Sequence, residues 1–188
     1  MRIETERLVL RPLTVDDTAD LHAYQSIPEC VRFVPFGVRT PAEVQAAIER
    51  HPSQPKLSAV GDLFLLGIEL RETGRVVGQL NMSVDALDPK TVEFGYLTHR
   101  DYWRRGITRE AVTALLTYGF EHEGVERIVA HILVDNAPSI SFVEQLGMRR
   151  EATHIEYERQ KGALISAHIY AMLAREWAAR RAIEARRT

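Results

Sequence analysis

The sequence predicts an α+β domain built on a mixed sheet, and three observations carry that prediction. Strand-like runs alternate with turn sequences as a meander between residues 63 and 98. The hydrophobic period changes to four residues from Ile107, which marks a helix crossing between two further strands. A last pair of β-rich segments flanks the turn Gln160-Lys161-Gly162, closing the chain as a hairpin. With 188 residues, 45% of them hydrophobic and 27% charged, the chain has material for one sizeable core. The expected organisation is a single domain over 1–188, with residues from about Ala174 forming a helical tail.

Each element has a local reason. Leu8-Val9-Leu10 is β-favouring and stops at Pro12; Thr14 and Asp16-Asp17 then offer N-caps for a helix towards Tyr24. Thr40-Pro41-Ala42-Glu43 combines a capping threonine, a proline at the first helical position and a glutamate that completes a capping box. Val44, Ala47 and Ile48 are that helix's core face. His51 to Lys56 holds two prolines and reads as a loop before the strand Leu63–Leu70. Glu72–Arg75 is a turn, Val76–Val84 a strand interrupted by Gly78, Asp85 to Lys90 a turn around Asp88-Pro89, and Thr91–Thr98 the third strand. Ile107, Ala111, Leu115 and Gly119, widened by Val112, Leu116 and Phe120, form the stripe of a helix ending near Gly124. Arg127–Val134 is β-rich, and Pro138 opens a short helix that Gly147 ends.

Composition excludes several classes. The 24 Lys and Arg against 26 Asp and Glu give no broad field for nonspecific nucleic-acid binding. Arg180-Arg181 and Arg186-Arg187 read as a solvated helix end. One cysteine, Cys30, rules out an internal disulfide framework, and seven histidines without ligand spacing imply no metal. The N-terminus lacks a signal-peptide core, and no apolar run approaches the ~20 residues of a membrane span. The expectation is a soluble protein of the cytoplasm.

The chemistry concentrates where Val92–Leu97 leads through His99–Tyr102 into Trp103-Arg104-Arg105-Gly106-Ile107-Thr108 and the long helix. Unpaired N–H groups in a first helical turn, with the positive end of the dipole, can hold phosphate oxygens, and Gly106 permits close approach. Arg104, Arg105 and Arg109 add positive charge. These residues alone describe an anion site and a solvated helix end equally well. The segment is neither a Walker loop, which needs Gly-Lys-Ser/Thr, nor a dinucleotide fingerprint, which needs three spaced glycines.

Four stretches in order resemble the RimJ/RimL-like branch of the GNAT superfamily, the ribosomal-protein N-terminal acetyltransferase-like proteins. Thr5-Glu6-Arg7-Leu8-Val9-Leu10-Arg11-Pro12-Leu13 is similar to its opening strand. Glu93-Phe94-Gly95-Tyr96 followed by Tyr102–Ala111 resembles its cofactor motif. Asn136-Ala137-Pro138-Ser139 with Phe142 and Leu146-Gly147-Met148 resembles the next motif, and Tyr170–Leu173 with Arg175-Glu176-Trp177 the closing strand and tail. Departures occur at Thr108, where the wider pattern ends in Gly or Ala; at Arg104, where the branch often has glycine; and at Ser166, where it often has aspartate.

The resemblance implies a GNAT fold, whose central, mostly antiparallel twisted sheet is flanked by helices and splayed at the acetyl-CoA site. It implies acetyl-CoA as cosubstrate, with backbone groups of Tyr96, Leu97 and Thr98 along the pantetheine arm and an N–H near Leu97 polarising the thioester. Trp103, Arg104, Arg105, Gly106, Ile107, Thr108 and Arg109 would hold the pyrophosphate, mainly through backbone amides. Asn136 would hydrogen-bond the arm and Ser139 protonate the leaving thiolate; both residues equally suit a helix start. Glu93 is the candidate base, acting through water, since partial burial on a strand raises a carboxyl pKa; its plain alternative is a solvent-facing carboxylate. His131 reads as a satisfied strand residue. The acceptor is a primary amine, on a protein N-terminus or a small molecule. Specificity lies in loops such as Ile27–Arg39 and in the closing hairpin; Phe33-Val34-Pro35-Phe36 either lines the acceptor channel or simply packs, and Glu151, Glu156 and Glu158 either meet an ammonium group or are ordinary surface charges. A homodimer is compatible with this reading. The competing class is a noncatalytic acyl-CoA-binding or sensor module on the same fold.

Overall fold

The computed structural model describes residues 1–51, 57, 59–84, 88 and 90–186. A two-residue strand β1 (Ile3–Glu4) precedes β2 (Leu8–Pro12), a 3-10 turn at Val15–Asp17, α1 (Thr18–Gln25) and α2 (Pro41–Glu49). The meander β3 (Leu63–Leu70), β4 (Val76–Val84) and β5 (Thr91–Thr98) leads to α3 (Ile107–His122). β6 (Arg127–Leu133), α4 (Ala137–Gln145), β7 (Arg149–Gln160), β8 (Ala163–Leu173) and α5 (Ala174–Ala185) complete the chain. The expected loop at 52–56 and most of the turn at 85–90 lie outside the described residues, as does Arg187.

The capping box expected at α2 is present: the Thr40 side chain accepts from the Glu43 N–H, and Glu43 accepts from the Thr40 N–H at 2.8 Å. Of the caps expected ahead of α1, Thr14 is the N-cap residue of the 3-10 turn that leads into the helix, whereas Asp17 departs from a simple cap. Asp17 makes no side-chain cap; its carboxylate turns back to the Thr14 N–H at 2.8 Å and takes both terminal nitrogens of Arg11. Asp17 therefore ties α1 to β2, using a bidentate charged pair where a cap would have used a neutral one.

The eight strands form one sheet in the order β1-β2-β3-β4-β5-β6-β8-β7. Every neighbouring pair is antiparallel except β5 and β6, which α3 joins as a parallel crossover. Alternation along the strands gives the sheet two apolar faces. Phe64, Leu66, Leu80, Met82, Val92 and Ile128 pack against Leu115 and Leu116 of α3, Val143 of α4 and Trp177 of α5. On the other face Val76 and Leu97 meet Leu21 and Tyr24 of α1 and Val44 and Ile48 of α2. No helix among the described residues is long and apolar enough to cross a membrane.

Two features of this frame position the site. β5 and β6 pair only at Thr91↔Arg127, Val92↔Ile128 and Glu93↔Val129, then separate. β5 stays registered to β4 as far as Gly78↔Thr98, and β6 to β8 as far as Leu133↔Ala167, so each strand keeps one neighbour and a gap opens between them.

The second feature is a brace at the start of α3. Glu110 accepts from Thr5 Oγ1 (2.5 Å), the Arg7 N–H (2.9 Å) and Arg7 Nε (2.6 Å), and Arg7 Nη1 continues to the Arg105 carbonyl at 3.1 Å. The turn between β1 and β2, which carries the Thr5-Glu6-Arg7 resemblance, thus holds the loop ahead of α3. Burial pushes the Glu110 carboxyl up, but hydrogen bonds from Thr5 and Arg7 outweigh it and hold the group below its ordinary value of 4.5. A depressed folded-state value contributes stability above the unfolded value that is lost as pH falls through the folded one. Glu110→Gln is expected to cost ~1–3 kcal/mol near pH 7 by urea unfolding, the range for a charged hydrogen-bond network. The difference from wild type should shrink below pH 4.5. A difference independent of pH would show that the charge does not brace the loop.

Candidate active site

The gap between β5 and β6 opens into a cleft of about 1480 Å³ that extends from the α3 N-terminus to the segment between α1 and α2. Which backbone groups face the gap follows from the register. The His99 N–H donates to the Val77 carbonyl at 2.8 Å, so the odd-numbered residues of β5 form the hydrogen-bonded pairs with β4. Leu97 is one of these, and its amide is turned to β4. Beyond the last β6 bridge, the amides directed into the gap are those of Tyr96 and Thr98. This narrows the expectation of an N–H near Leu97 to its two neighbours.

At one end of the cleft the Trp103–Thr108 loop turns into α3. Gly106 is the N-cap residue with φ 78°, a left-handed conformation that glycine adopts without Cβ strain, and it offers no side chain to cap the first turn. The first intrahelical bond recorded there is Glu110 N–H to the Gly106 carbonyl at 3.0 Å, leaving the preceding amides without an intrahelical acceptor. Gly106, Thr108 and Arg109 line the cleft at this point. Arg104 also has positive φ, 60°, which gives a physical reason for glycine at that position in the resembling branch.

Thr98 fastens this loop to the sheet from both ends. Its buried Oγ1 lies 3.0 Å from Thr108 Oγ1, and its carbonyl accepts from Trp103 Nε1 at 2.8 Å. Thr108, a departure from the family pattern, therefore has a hydroxyl partner at the end of β5. Arg109 makes a further link at the cleft wall: Nη2 donates to Gln145 Oε1 at 2.6 Å, joining α3 to α4.

Further along the gap, Tyr96 donates its hydroxyl to Ser139 Oγ at 2.9 Å and meets Phe142 edge-on, with ring centroids 5.1 Å apart. Burial pushes the Tyr96 phenol up to about 12. Asn136 caps α4 by accepting the Ser139 N–H at 3.3 Å, so one short helix start supplies both residues and still presents the Ser139 hydroxyl to the cleft. Glu93, at the last β5–β6 bridge, is 41% exposed, and its Oε1 lies 3.0 Å from His131 Nδ1. His131 is the residue that sequence reasoning set aside. Its alternation along β6 was visible, but its distance to Glu93 depends on a parallel register no local pattern encodes.

The outer rim comes from the segment after α1 and from the β7–β8 hairpin. Lys161 at the hairpin tip donates to the carbonyls of Val31 (2.7 Å) and Arg32 (3.2 Å), strapping the hairpin over that segment. Of the hairpin glutamates only Glu158 lines the cleft, beside Tyr157. Glu151 pairs with Arg127 and Arg149, while the Glu156 N–H donates to Ser166 Oγ at 2.9 Å across a register shift. Phe33–Phe36 do line it. Arg180, read as part of a solvated tail, instead donates to the Gln145 carbonyl at 2.9 Å and secures α5 to α4.

Residues 7–149 match the acetyltransferase (GNAT) domain model. The chain belongs to the GNAT acetyltransferase family. It is 32% identical over 174 residues to the uncharacterized N-acetyltransferase p20 of Bacillus licheniformis, covering 93% of this chain and 97% of that one. Among solved structures, a GNAT-family acetyltransferase from Bacillus anthracis superimposes with a TM-score of 0.83 at 26% identity, over 94% of this chain and 100% of that one. RimL, a ribosomal alpha-N-protein acetyltransferase in complex with coenzyme A, shares the fold at a TM-score of 0.77 and 18% identity, over 92% and 98% of the two chains. The GNAT chain is thus an acyltransferase with the mixed, mostly antiparallel sheet and flanking helices of its family.

Thr98→Val keeps the side-chain shape and removes the hydroxyl that meets Thr108. The expected result is a several-fold loss of acetyl-CoA affinity by calorimetry, about 1 kcal/mol for one buried hydrogen bond. Unchanged affinity would remove the Thr98–Thr108 contact from the account of this loop.

Proposed function

We propose that this GNAT protein transfers the acetyl group of acetyl-CoA directly to a primary amine while both are bound in the gap between β5 and β6. The observation that carries the reading is the placement of two polar pairs along one gap that ends at an uncapped helix start: Glu93 with His131, and Tyr96 with Ser139. The coenzyme A bound to RimL, on the same fold, supports the choice of donor.

The residues fit that donor. The amides of Arg105 to Arg109 and the positive end of α3 suit a pyrophosphate, with Trp103 and Arg104 flanking it. The amides of Tyr96 and Thr98 suit the pantetheine arm and the thioester oxygen, and a donor aimed at that oxygen lowers the barrier as negative charge develops there. Asn136 and Ser139 form the opposite wall. Acetyl-CoA brings the acyl group and a thiol leaving group.

An ammonium ion has no lone pair, so a proton must leave before or during attack. The Glu93 carboxylate, oriented by the His131 ring, takes it directly or through one water. As the amine nitrogen bonds to the carbonyl carbon, the carbon–sulfur bond breaks and its electron pair goes to sulfur. Ser139 donates a hydrogen bond to that sulfur, with the Tyr96 hydroxyl donating to Ser139 from behind. An ordinary thiol titrates near 8.5, well below the Tyr96 phenol at about 12, so sulfur cannot keep a proton taken from Tyr96. The pair stabilises or relays: of the two protons an ammonium sheds in becoming an amide, the first passes through Glu93 to solvent and the second, lost from nitrogen once its bond to carbon has formed, is the one the thiol finally holds. The acceptor is a small molecule or a protein N-terminus, and a reducing compartment such as the cytoplasm suits the single buried thiol of Cys30.

Glu93→Gln should lower kcat/KM at neutral pH by about 100-fold or more, with little change in acetyl-CoA affinity. Wild-type turnover would remove Glu93 as the base. Ser139→Ala should reduce kcat more than it reduces acetyl-CoA affinity, read by free-thiol release and calorimetry.

A further inference from the structure

The acceptor half of the cleft contains a cation held in place by neutral groups, with no carboxylate of the described residues in direct contact with it. Arg39, the last residue before the α2 cap, lines the cleft with its guanidinium carbon 3.7 Å from the centroid of the Phe36 ring. Its Nη1 donates to Gln25 Oε1 at 3.1 Å, and its backbone N–H donates to the Gln25 carbonyl at 3.1 Å. Gln25, 1% exposed, is itself fixed: its amide nitrogen donates to Gln79 Oε1 at 2.7 Å, and the Tyr24 hydroxyl donates to the same oxygen at 3.2 Å. Two elements, α1 and β4, thus aim one guanidinium through a chain of neutral groups.

A half-buried guanidinium is ordinarily matched by a carboxylate, because desolvating the charge costs several kcal/mol. Among the described residues no Asp or Glu oxygen lies within 4.0 Å of Arg39. Glu43, one turn into α2, commits its carboxylate to the N–H and hydroxyl of Thr40 at 2.8 and 2.9 Å. Burial, and then the charge of nearby Arg50, which also lines the cleft, push the Arg39 pKa down and outweigh the attraction of Glu43, which acts at a distance without contact. A guanidinium presents five N–H donors in a planar fork that matches a carboxylate, and the recorded side-chain hydrogen bond uses one nitrogen. Elsewhere in the same cleft Glu93, Tyr157 and Glu158 provide a wall suited to an ammonium group.

We propose that the acceptor is a small amine bearing a carboxylate, an amino acid in the broad sense, and that Arg39 recognises that carboxylate. The inference rests on reading this half of the cleft as the acceptor side of an acetyl-transfer site. Gln25 and Gln79 are the positioning residues behind Arg39. Specificity follows from the same asymmetry that governs other buried polar sites: an amine without the carboxylate leaves the guanidinium desolvated and unmatched.

The test uses the full chain loaded with coenzyme A and matched pairs of compounds: lysine and cadaverine, phenylalanine and phenethylamine, histidine and histamine, 4-aminobutyrate and butylamine. Binding is measured by calorimetry, and kcat/KM with acetyl-CoA by free-thiol release. In at least one pair the carboxylated member should bind about 10-fold or more tightly than its partner, and Arg39→Gln should erase that difference. Arg39→Lys, a point charge without the fork, should retain a smaller part of it and serves if the glutamine variant does not fold. Equal or weaker binding of the carboxylated member in every pair, or a preference that survives in Arg39→Gln, overturns the proposal. Carboxylate-selective binding without thiol release would keep the role of Arg39 and remove the transfer reading. Thiol release from amines with no carboxylate preference would do the reverse.

Discussion

The separation of β5 from β6 after Glu93 is the constraint on which the site depends. A parallel pair with three bridges gives up the backbone hydrogen bonds that the remaining residues of both strands could have made. That loss is tolerable because each strand is held on its other side, β5 by β4 and β6 by β8, over its length. It also creates what a packed sheet lacks: main-chain donors inside the fold that face an open cleft. The Tyr96–Phe142 contact and the Tyr96–Ser139 hydrogen bond bring α4 to the gap, and Thr98 attaches the far end of β5 to the loop before α3.

Much of the support for the gap comes from distant parts of the chain. Glu110 collects Thr5 and Arg7 from the first strands, and Arg7 continues to Arg105 in the loop. Arg109 and Arg180 meet Gln145 from α3 and α5, fixing the end of α4 that carries Ser139 at its start. Lys161 ties the last hairpin to the segment before α2. A site made of main-chain amides is insensitive to which side chains surround it but sensitive to where the backbone lies. These charged contacts therefore act on backbone position.

Element existence was legible because local signals agreed with one another. The capping box at Thr40 and Glu43, the four-residue stripe from Ile107 and the turn at Lys161-Gly162 each specify an element without help from the rest of the fold. The proposed location of the donor site rests on the order of several motifs, since one glycine before a helix carries little information. Pairings between strands were not legible. Glu93 meets His131 because a parallel register places β6 beside β5, and Thr98 meets Thr108 because the loop folds back on its own strand. The aim of Leu97 towards β4 depends on which alternate residues hydrogen-bond, a parity that the residue types along the strand do not reveal. Arg39 was hidden for the same reason: that no carboxylate among the described residues contacts it is a three-dimensional fact.

The central claim is that acetyl-CoA is held by main-chain amides exposed where β5 leaves β6. Residue-resolved amide hydrogen exchange by NMR, with and without saturating acetyl-CoA, measures those groups directly. The account predicts added protection at Tyr96, Thr98 and residues 107–109, with Leu97 unaffected because its amide is already bonded to β4. Protection confined to other parts of the chain, with no change at Tyr96, Thr98 and the start of α3, would contradict it.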